Sequence, residues 1–441
     1  MRIRRITVTP VAFHDPALLN AVGVHEPYAL RSVLQLHCEG PEGAVVGLGE
    51  SYGDEAFLQL LRTAADAITG LDVFHLGRIE QAVAAALGGG AYADRHGLTG
   101  AGSTSKTLLS VFAAFEVACL DAQGRAVGRS VADLLGGPVR DSVPFSAYLF
   151  YKWAGHPGAG YPTGVERGGV ERGGDEQGGD EWGEALDADA VVRQARRMIE
   201  RYGFGAIKLK GGVLPPEEEV EAVLALRAAF PGLPLRLDPN AAWTVPTALK
   251  VAERLDGVLE YLEDPVAGID AMAEVARSAP MPLATNMCVV APEHLAPALL
   301  ARAIGVLLSD HHYWGGLRHT RELAGLCADF GVGLSMHSNS HLGISLAAMV
   351  QVAAATPQLD YACDTHWPWK RADEDVVRPG ALRFVDGAVP LPPGPGLGVE
   401  LDPDGLARLH ELYLRCGLRR RDDTGYRQRV EPGFRPRQPG W

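Results

Sequence analysis

From residue 143 onward the chain settles into a rhythm that few folds can accommodate. Short β-like runs recur as "VPFSAYLF", "GAIKLK", "PLRLDPN", "LEYLEDPV", "PLATNMC", "GVLLSDHH", "GLSMHSN" and "LDYACDTH", eight in all. Helix-like stretches such as "PPEEEVEAVLALRAAF" and "GGLRHTRELAGLCADF" separate them, and from the second run onward the interval stays between 22 and 30 residues. Strands that alternate with helices pair in parallel, because each crossover needs a helix to return the chain. Eight such units predict a closed (β/α)8 barrel of the TIM type. An open doubly wound sheet would want a Gly-rich phosphate loop after its first strand, and "SAYLFYKW" offers none.

The rhythm divides the chain. Residues 1–140 read as a separate α+β unit, a cap for the barrel, with strands in "RITVTPVAF", "RSVLQLHCE" and "GAVVGLGES" and a long helix in "KTLLSVFAAFEVACLDAQGRAVG". The barrel occupies 141–370, and the tail 371–441, with one helix in "DPDGLARLHELYLRCG", is expected to pack back on the cap and complete it. A Gly/Glu-rich tract at about 154–184, in which VERGG and GGDE each recur, breaks the first interval. It cannot bury apolar surface and reads as a surface insertion, with a lid as the less favoured alternative.

Composition excludes several classes of function. The formal charge of −13 disfavours a nucleic-acid partner. No apolar run reads as a signal peptide or a membrane span. Six scattered cysteines without a C-x-x-C pair argue against a disulfide framework or a structural zinc and suit the cytoplasm.

The chemistry lies at the strand ends, which a parallel barrel gathers at one mouth. Asp238, Glu263 and Asn286 close the third, fourth and fifth runs. Singly, each has a plain reading as an Asx turn, a helix start or a loop cap. Together they offer three oxygens to a hard cation that keeps places for water or substrate, which points to Mg2+. Lys208 and Lys210 share one face of the second run, costly to bury unless they serve chemistry. One would neutralise a substrate carboxylate, and the other, its pKa lowered by burial and its neighbour, would move the α-proton. Asp310 and His337, from adjacent runs, read as a carboxylate–imidazole pair and a second acid/base. His311 and His312 compete for that role.

The set "KLK", "DPN", "EDP", "TNMC", "SDHHYWGG" and "SMHSNSHLGIS" resembles the enolase superfamily, and within it the glucarate dehydratase family. The resemblance runs nearly the whole chain, through "LLNAVGVHEPY" and "CGLRRRDD". It implies Asp238, Glu263 and Asn286 as Mg2+ ligands, and Lys210 and His337 (with Asp310) as acid/bases on opposite faces. Lys208 would touch the substrate carboxylate. Further substrate contacts would fall on His25, Tyr148, Asn240, Ser338, Asn339, His366 and Arg421, the last chosen among Arg419, Arg420 and Arg421 as a clamp for a distal carboxylate. A substrate hydroxyl contact would come from "GLTGAGSTSK", near Ser103 or Thr104. The implied activity is Mg2+-dependent dehydration of D-glucarate, and of L-idarate, to 5-keto-4-deoxy-D-glucarate. The implied partner is a small dicarboxylate, in a homo-oligomer. A dehydratase or epimerase of another acid sugar is the alternative, and a silent barrel that binds an active partner is the reading from another class.

Overall fold

The computed structural model describes residues 1–40, 43–88, 103–157, 180–436 and 438–441. The middle of the Gly/Glu-rich tract, on which the lid reading falls, lies outside the described residues, as does most of "GLTGAGSTSK".

Strands Arg2–His14, Tyr28–Gly40 and Gly43–Tyr52 form an antiparallel sheet with Tyr28–Gly40 in the middle. Helix Thr104–Val127 packs on it, started by the Ser103 hydroxyl, which accepts the Lys106 N–H. Two glycines of the edge strand admit the helix backbone. A Cβ at Gly47 would stand 2.0 Å from the Ala118 carbonyl oxygen, and one at Gly49 2.4 Å from that of Ala114. Gly47→Ala is therefore expected to push helix and strand apart and to cost roughly 1–3 kcal/mol, as overpacking does. Thermal unfolding reads this directly, and an unchanged midpoint would show that the contact yields freely. The same helix corrects the expectation that no segment could span a bilayer. Ser105–Val127 is long and apolar enough, but 89% of its apolar window is buried inside the protein.

Seven strands of the barrel pair in parallel in chain order: Ala147–Phe150, Ile207–Lys210, Leu235–Asp238, Tyr261–Glu263, Leu283–Thr285, Val306–Ser309 and Gly333–Met336. The eighth run departs from expectation. It forms no regular strand, because Asp360 turns its carboxylate onto the Leu334 N–H and so competes with the ladder. It still bonds to both neighbours. Asp364 N donates to Met336 O at 2.8 Å on one side, and Ser146 N to Cys363 O at 2.9 Å on the other. The fold is thus a TIM-type barrel with an α+β cap.

Two buried glutamates fasten cap to barrel at helix starts. Glu50 accepts the N–H groups of Leu342 and Ser345 at the start of helix Gly343–Ala354. Glu116 does the same for Leu317 and Arg318 at helix Leu317–Asp329. Both complement the free N–H groups and the positive end of a helix dipole. Those two helices follow the strands that end in Asp310 and His337.

The tail divides its contacts between the cap and the barrel. Strand Ala388–Pro390 pairs with Ser142–Pro144 at the barrel base. Helix Pro403–Cys416 meets the cap, where His410 Nδ1 lies 2.7 Å from Pro10 O. Helix Asp423–Val430, not foreseen from the sequence, bonds to the cap loop through Thr424 and Val22. The last residues return to the barrel, where Thr244 N donates to Trp441 O at 2.7 Å.

Candidate active site

The barrel register sets the lysines among carboxylates. Lys210 pairs in register with Asp238, and Lys208 with Tyr148. Lys210 Nζ lies 2.6 Å from Asp238 Oδ2 and 2.6 Å from Asn240 Oδ1. Lys208 Nζ lies 2.7 Å from Asp364 Oδ2, 2.6 Å from Glu263 Oε2 and 4.7 Å from the centre of the Tyr148 ring. This corrects the expectation of a depressed lysine pKa. Burial lowers the pKa of Lys210, but the Asp238 carboxylate, together with Tyr148 and Glu263, outweighs burial and holds it above the ordinary lysine value. Lys208 is raised in the same way, by Asp364 and Glu263 against its own burial. The like charge of the neighbouring lysine is the weaker influence.

Asp238, Glu263 and Asn286 come from three consecutive strand ends, as the sequence predicts. Both carboxylate oxygens of Glu263 and the amide oxygen of Asn286 are buried and accept no hydrogen bond. The Lys208 ammonium is close to Glu263 Oε2 but is not aligned to donate to it. Orphaned buried acceptors are rare and call for a reason. Burial, then Asp238, Asp364 and Asp264, push Glu263 well above the ordinary carboxylate range, with Lys208 opposing. A hard cation bound by oxygens would satisfy the acceptors and relieve that repulsion, so the donor set fits one.

Asp264, which with Glu263 ends the fourth run and to which the sequence alone assigns no role, aims Asn286. It accepts the Thr285 hydroxyl at 2.5 Å and the N–H groups of Asn286 and Met287 at 2.8 and 3.1 Å. It does so at φ 38°, a left-handed conformation that Asp tolerates better than most residues. Burial raises its pKa to about 7. Asp264→Ala would strand the Thr285 hydroxyl and the Asn286 N–H, while the Met287 N–H keeps Thr285 Oγ1 at 3.1 Å, and is expected to cost roughly 2–4 kcal/mol in urea unfolding. Undiminished stability would mean that water replaces the carboxylate.

On the opposite wall, His337 Nδ1 lies 3.0 Å from Asp310 Oδ2. Burial lowers the His337 pKa, and the Asp310 contact only partly restores it. Asp310 is held well below the usual carboxylate range: burial works the other way, but His312 and His337 outweigh it. Of the competing histidines, neither His311 nor His312 lines the pocket, whereas His337 does.

One pocket gathers most of the predicted site. Lys210, Asn286 and His337 line it together with His25, Tyr148, Asn240, Ser338, Asn339, His366 and Arg421. Asp238, Glu263, Asp310 and Lys208 do not reach its wall. Lys208, expected to touch the substrate carboxylate, is instead fully buried between Asp364 and Glu263. The Ser103 hydroxyl caps its helix and bonds Glu293, while the Thr104 side chain is outside the described residues. Arg421 is the pocket-facing member of its arginine triplet, since Arg419 bonds Tyr413 O and Leu418 O and Arg420 points to Asp422. A bidentate clamp from its Nε/Nη2 edge is corrected, because Asp423 occupies both atoms at 2.7 Å. The sequence reading missed Asp364 and Asp423. In the strand that the eighth run predicts, Asp364 would face the same way as His366, two residues on, a usable signal. Asp423 was hidden in the charge run "RRRDD".

A mouth that pairs a lysine and an imidazole across three oxygen donors, on a capped barrel, is what the resemblance to the enolase superfamily implies, and similarity to known proteins shows that family. Residues 190–405 match the family model described as "Enolase C-terminal domain-like". The chain belongs to the enolase superfamily. It is 49% identical to a "Probable glucarate dehydratase" of Streptomyces coelicolor, over 100% of this chain and 99% of the relative. It is 61% identical to a solved enolase of Thermobispora bispora, complexed with magnesium and formate, over 100% of each chain at a TM-score of 0.93. A Mycobacterium smegmatis enolase complexed with tartrate is 60% identical, over 100% of this chain and 98% of that one, at a TM-score of 0.90.

Proposed function

We propose that this chain dehydrates D-glucarate, and L-idarate, to 5-keto-4-deoxy-D-glucarate, with Mg2+ held by Asp238, Glu263 and Asn286. The observation that carries the reading is the single pocket onto which Lys210 and the Asp310-backed His337 both open. The magnesium and tartrate of the solved relatives, and the name of the Streptomyces relative, support the metal and the substrate class. Bound there, Mg2+ would supply fixed positive charge against the negative charge that builds on the substrate carboxylate as the α-proton leaves.

The residues then divide the work. Lys210 would handle the C5 proton on one face and His337 on the other, so that both C5 epimers enter one path. His337, carrying its proton, would donate it to the departing C4 hydroxyl. Asn240 Nδ2 is buried without a hydrogen-bond partner at the pocket wall and would donate to a substrate oxygen. The remaining guanidinium nitrogen of Arg421, with His25, would meet the distal carboxylate.

The test is incubation with Mg2+ and a panel of acid sugars, trapping 2-keto acid products with semicarbazide. Signal confined to D-glucarate and L-idarate, and abolished by EDTA, is expected. Signal on another sugar alone would keep the mechanism and discard the substrate.

A further inference from the structure

We propose that His312 is a positioning residue for His337, and that the cap's Arg31–Glu50 ion pair fixes which His312 ring nitrogen carries the proton. The inference rests on reading His337 as a proton-transfer group, and its geometry is a continuous buried chain. Asp310 serves two imidazoles, with His337 Nδ1 at 3.0 Å from Oδ2 and His312 Nδ1 at 2.7 Å from Oδ1. The His312 backbone N–H adds a third bond to the carboxylate, at Oδ1 and 2.9 Å. The far nitrogen of His312, Nε2, meets Arg31 Nη2 at 2.6 Å and Ser345 Oγ at 2.8 Å. Arg31 Nε donates in turn to Glu50 Oε1 at 2.9 Å. Asp310 is 1%, His312 3%, Arg31 1% and Glu50 3% exposed, so water does not interrupt the chain.

A guanidinium carries only donors, so His312 Nε2 has to accept. The ring proton is thereby fixed on Nδ1, where it points at Asp310. The donor atoms of Asp310, His311 and His312 lie within 4.8 Å of one another, as in a metal site. Both nitrogens of His312 are already engaged, however, and the cluster works as a hydrogen-bond node.

The consequence is a carboxylate whose charge is shared. With a single imidazole to serve, Asp310 would back His337 alone and favour the imidazolium. The His312 N–H draws part of that charge away and leaves His337 readier to stand neutral and accept a proton on Nε2. Other charges that face His337 are Lys208, Lys210 and His366. Those that face His312 are Arg31, Glu50, His311 and His341. Lys208, Lys210 and His366 bond to residues other than His312, so replacing His312 removes no partner of theirs.

Histidine 15N NMR of the Mg2+-loaded protein tests the proposal with His312→Gln and His312→Asn. The asparagine amide can still donate to Asp310 from the Nδ1 position, whereas the glutamine amide sits farther out, against Arg31. The protonation midpoint of His337 is expected to rise by about one unit in His312→Gln and to stay near the parent value in His312→Asn. A residue that merely filled space would not separate the two. An unmoved midpoint in His312→Gln overturns the proposal. The unmodified protein gives a second reading that survives a folding failure of either variant: His312 must carry its proton on Nδ1, and an Nε2–H form overturns the proposal as well. Neither measurement needs substrate, so silence in the acid-sugar assay would count against the proposed function and leave this result standing.

Discussion

Lys210→Ala is expected to lower kcat for dehydration by roughly 100- to 10,000-fold, the usual worth of a positioned acid/base. The effect should be lopsided. With two proton-handling groups on opposite faces, Lys210→Ala would still exchange the C5 proton of one epimer for solvent deuterium, through His337. His337→Asn would reverse the preference and would also lose help for the leaving hydroxyl. The measurement is deuterium incorporation into recovered D-glucarate and L-idarate, beside product formation. Intact turnover by Lys210→Ala on every acid sugar would remove Lys210 from the mechanism.

The structure adds a condition on how Lys210 can act. Its ammonium donates to Asp238 and Asn240 at 2.6 Å each, and its pKa lies above the ordinary lysine value against its own burial, with Asp238 the foremost of the groups that raise it. A lysine held in that state is an acid. To act as a base it must first lose the support of Asp238, and a cation that took over the Asp238 carboxylate would do that by direct competition. Activity of Lys210 as a base would thus be tied to occupancy of the oxygen cluster.

That condition marks what could be read from the sequence and what could not. The strand ends were legible because a period of two fixes which residues share a face and the parallel barrel fixes which end is the mouth. Hence Asp238, Glu263, Asn286, Asp310 and His337 all fell where the runs predicted. The sign of the lysine shift was not legible, because it depends on whether an ammonium in the interior meets another ammonium or a carboxylate first. Lys208 meets Asp364 from the eighth run, 156 residues away in sequence, at 2.7 Å. Nor could the sequence show that Arg421 would turn its Nε/Nη2 edge to Asp423, two residues on. Local charge pairs of that kind look the same on paper whether they are solvated or buried. The irregular eighth run failed for a similar reason: its composition is that of a strand, but Asp360 diverts a neighbour's N–H.

The second large effect concerns the oxygen cluster itself. Glu263→Gln keeps the shape of the side chain and one carbonyl oxygen but removes a charge that a hard cation needs. It is expected to abolish dehydration and, independently of substrate, the rise in melting temperature that Mg2+ gives the parent protein. A ligand that binds only the folded state stabilises it by about 2.7 kcal/mol at a hundredfold excess over its Kd, so the parent shift should be plain in a thermal scan. The pH dependence has a definite sign. Burial and the carboxylates around it raise the Glu263 pKa well above the ordinary range, so at any pH below that raised pKa the metal must displace a proton from Glu263. Mg2+ affinity should then fall about tenfold for each unit that the pH drops below that raised pKa, with one proton released per ion bound. Glu263→Gln has no such proton to release. A parent protein whose melting temperature ignored Mg2+ at every pH, while the acid-sugar assay still gave product, would move the metal away from Glu263. The orphaned oxygens of Glu263 and Asn286 would then need a different partner.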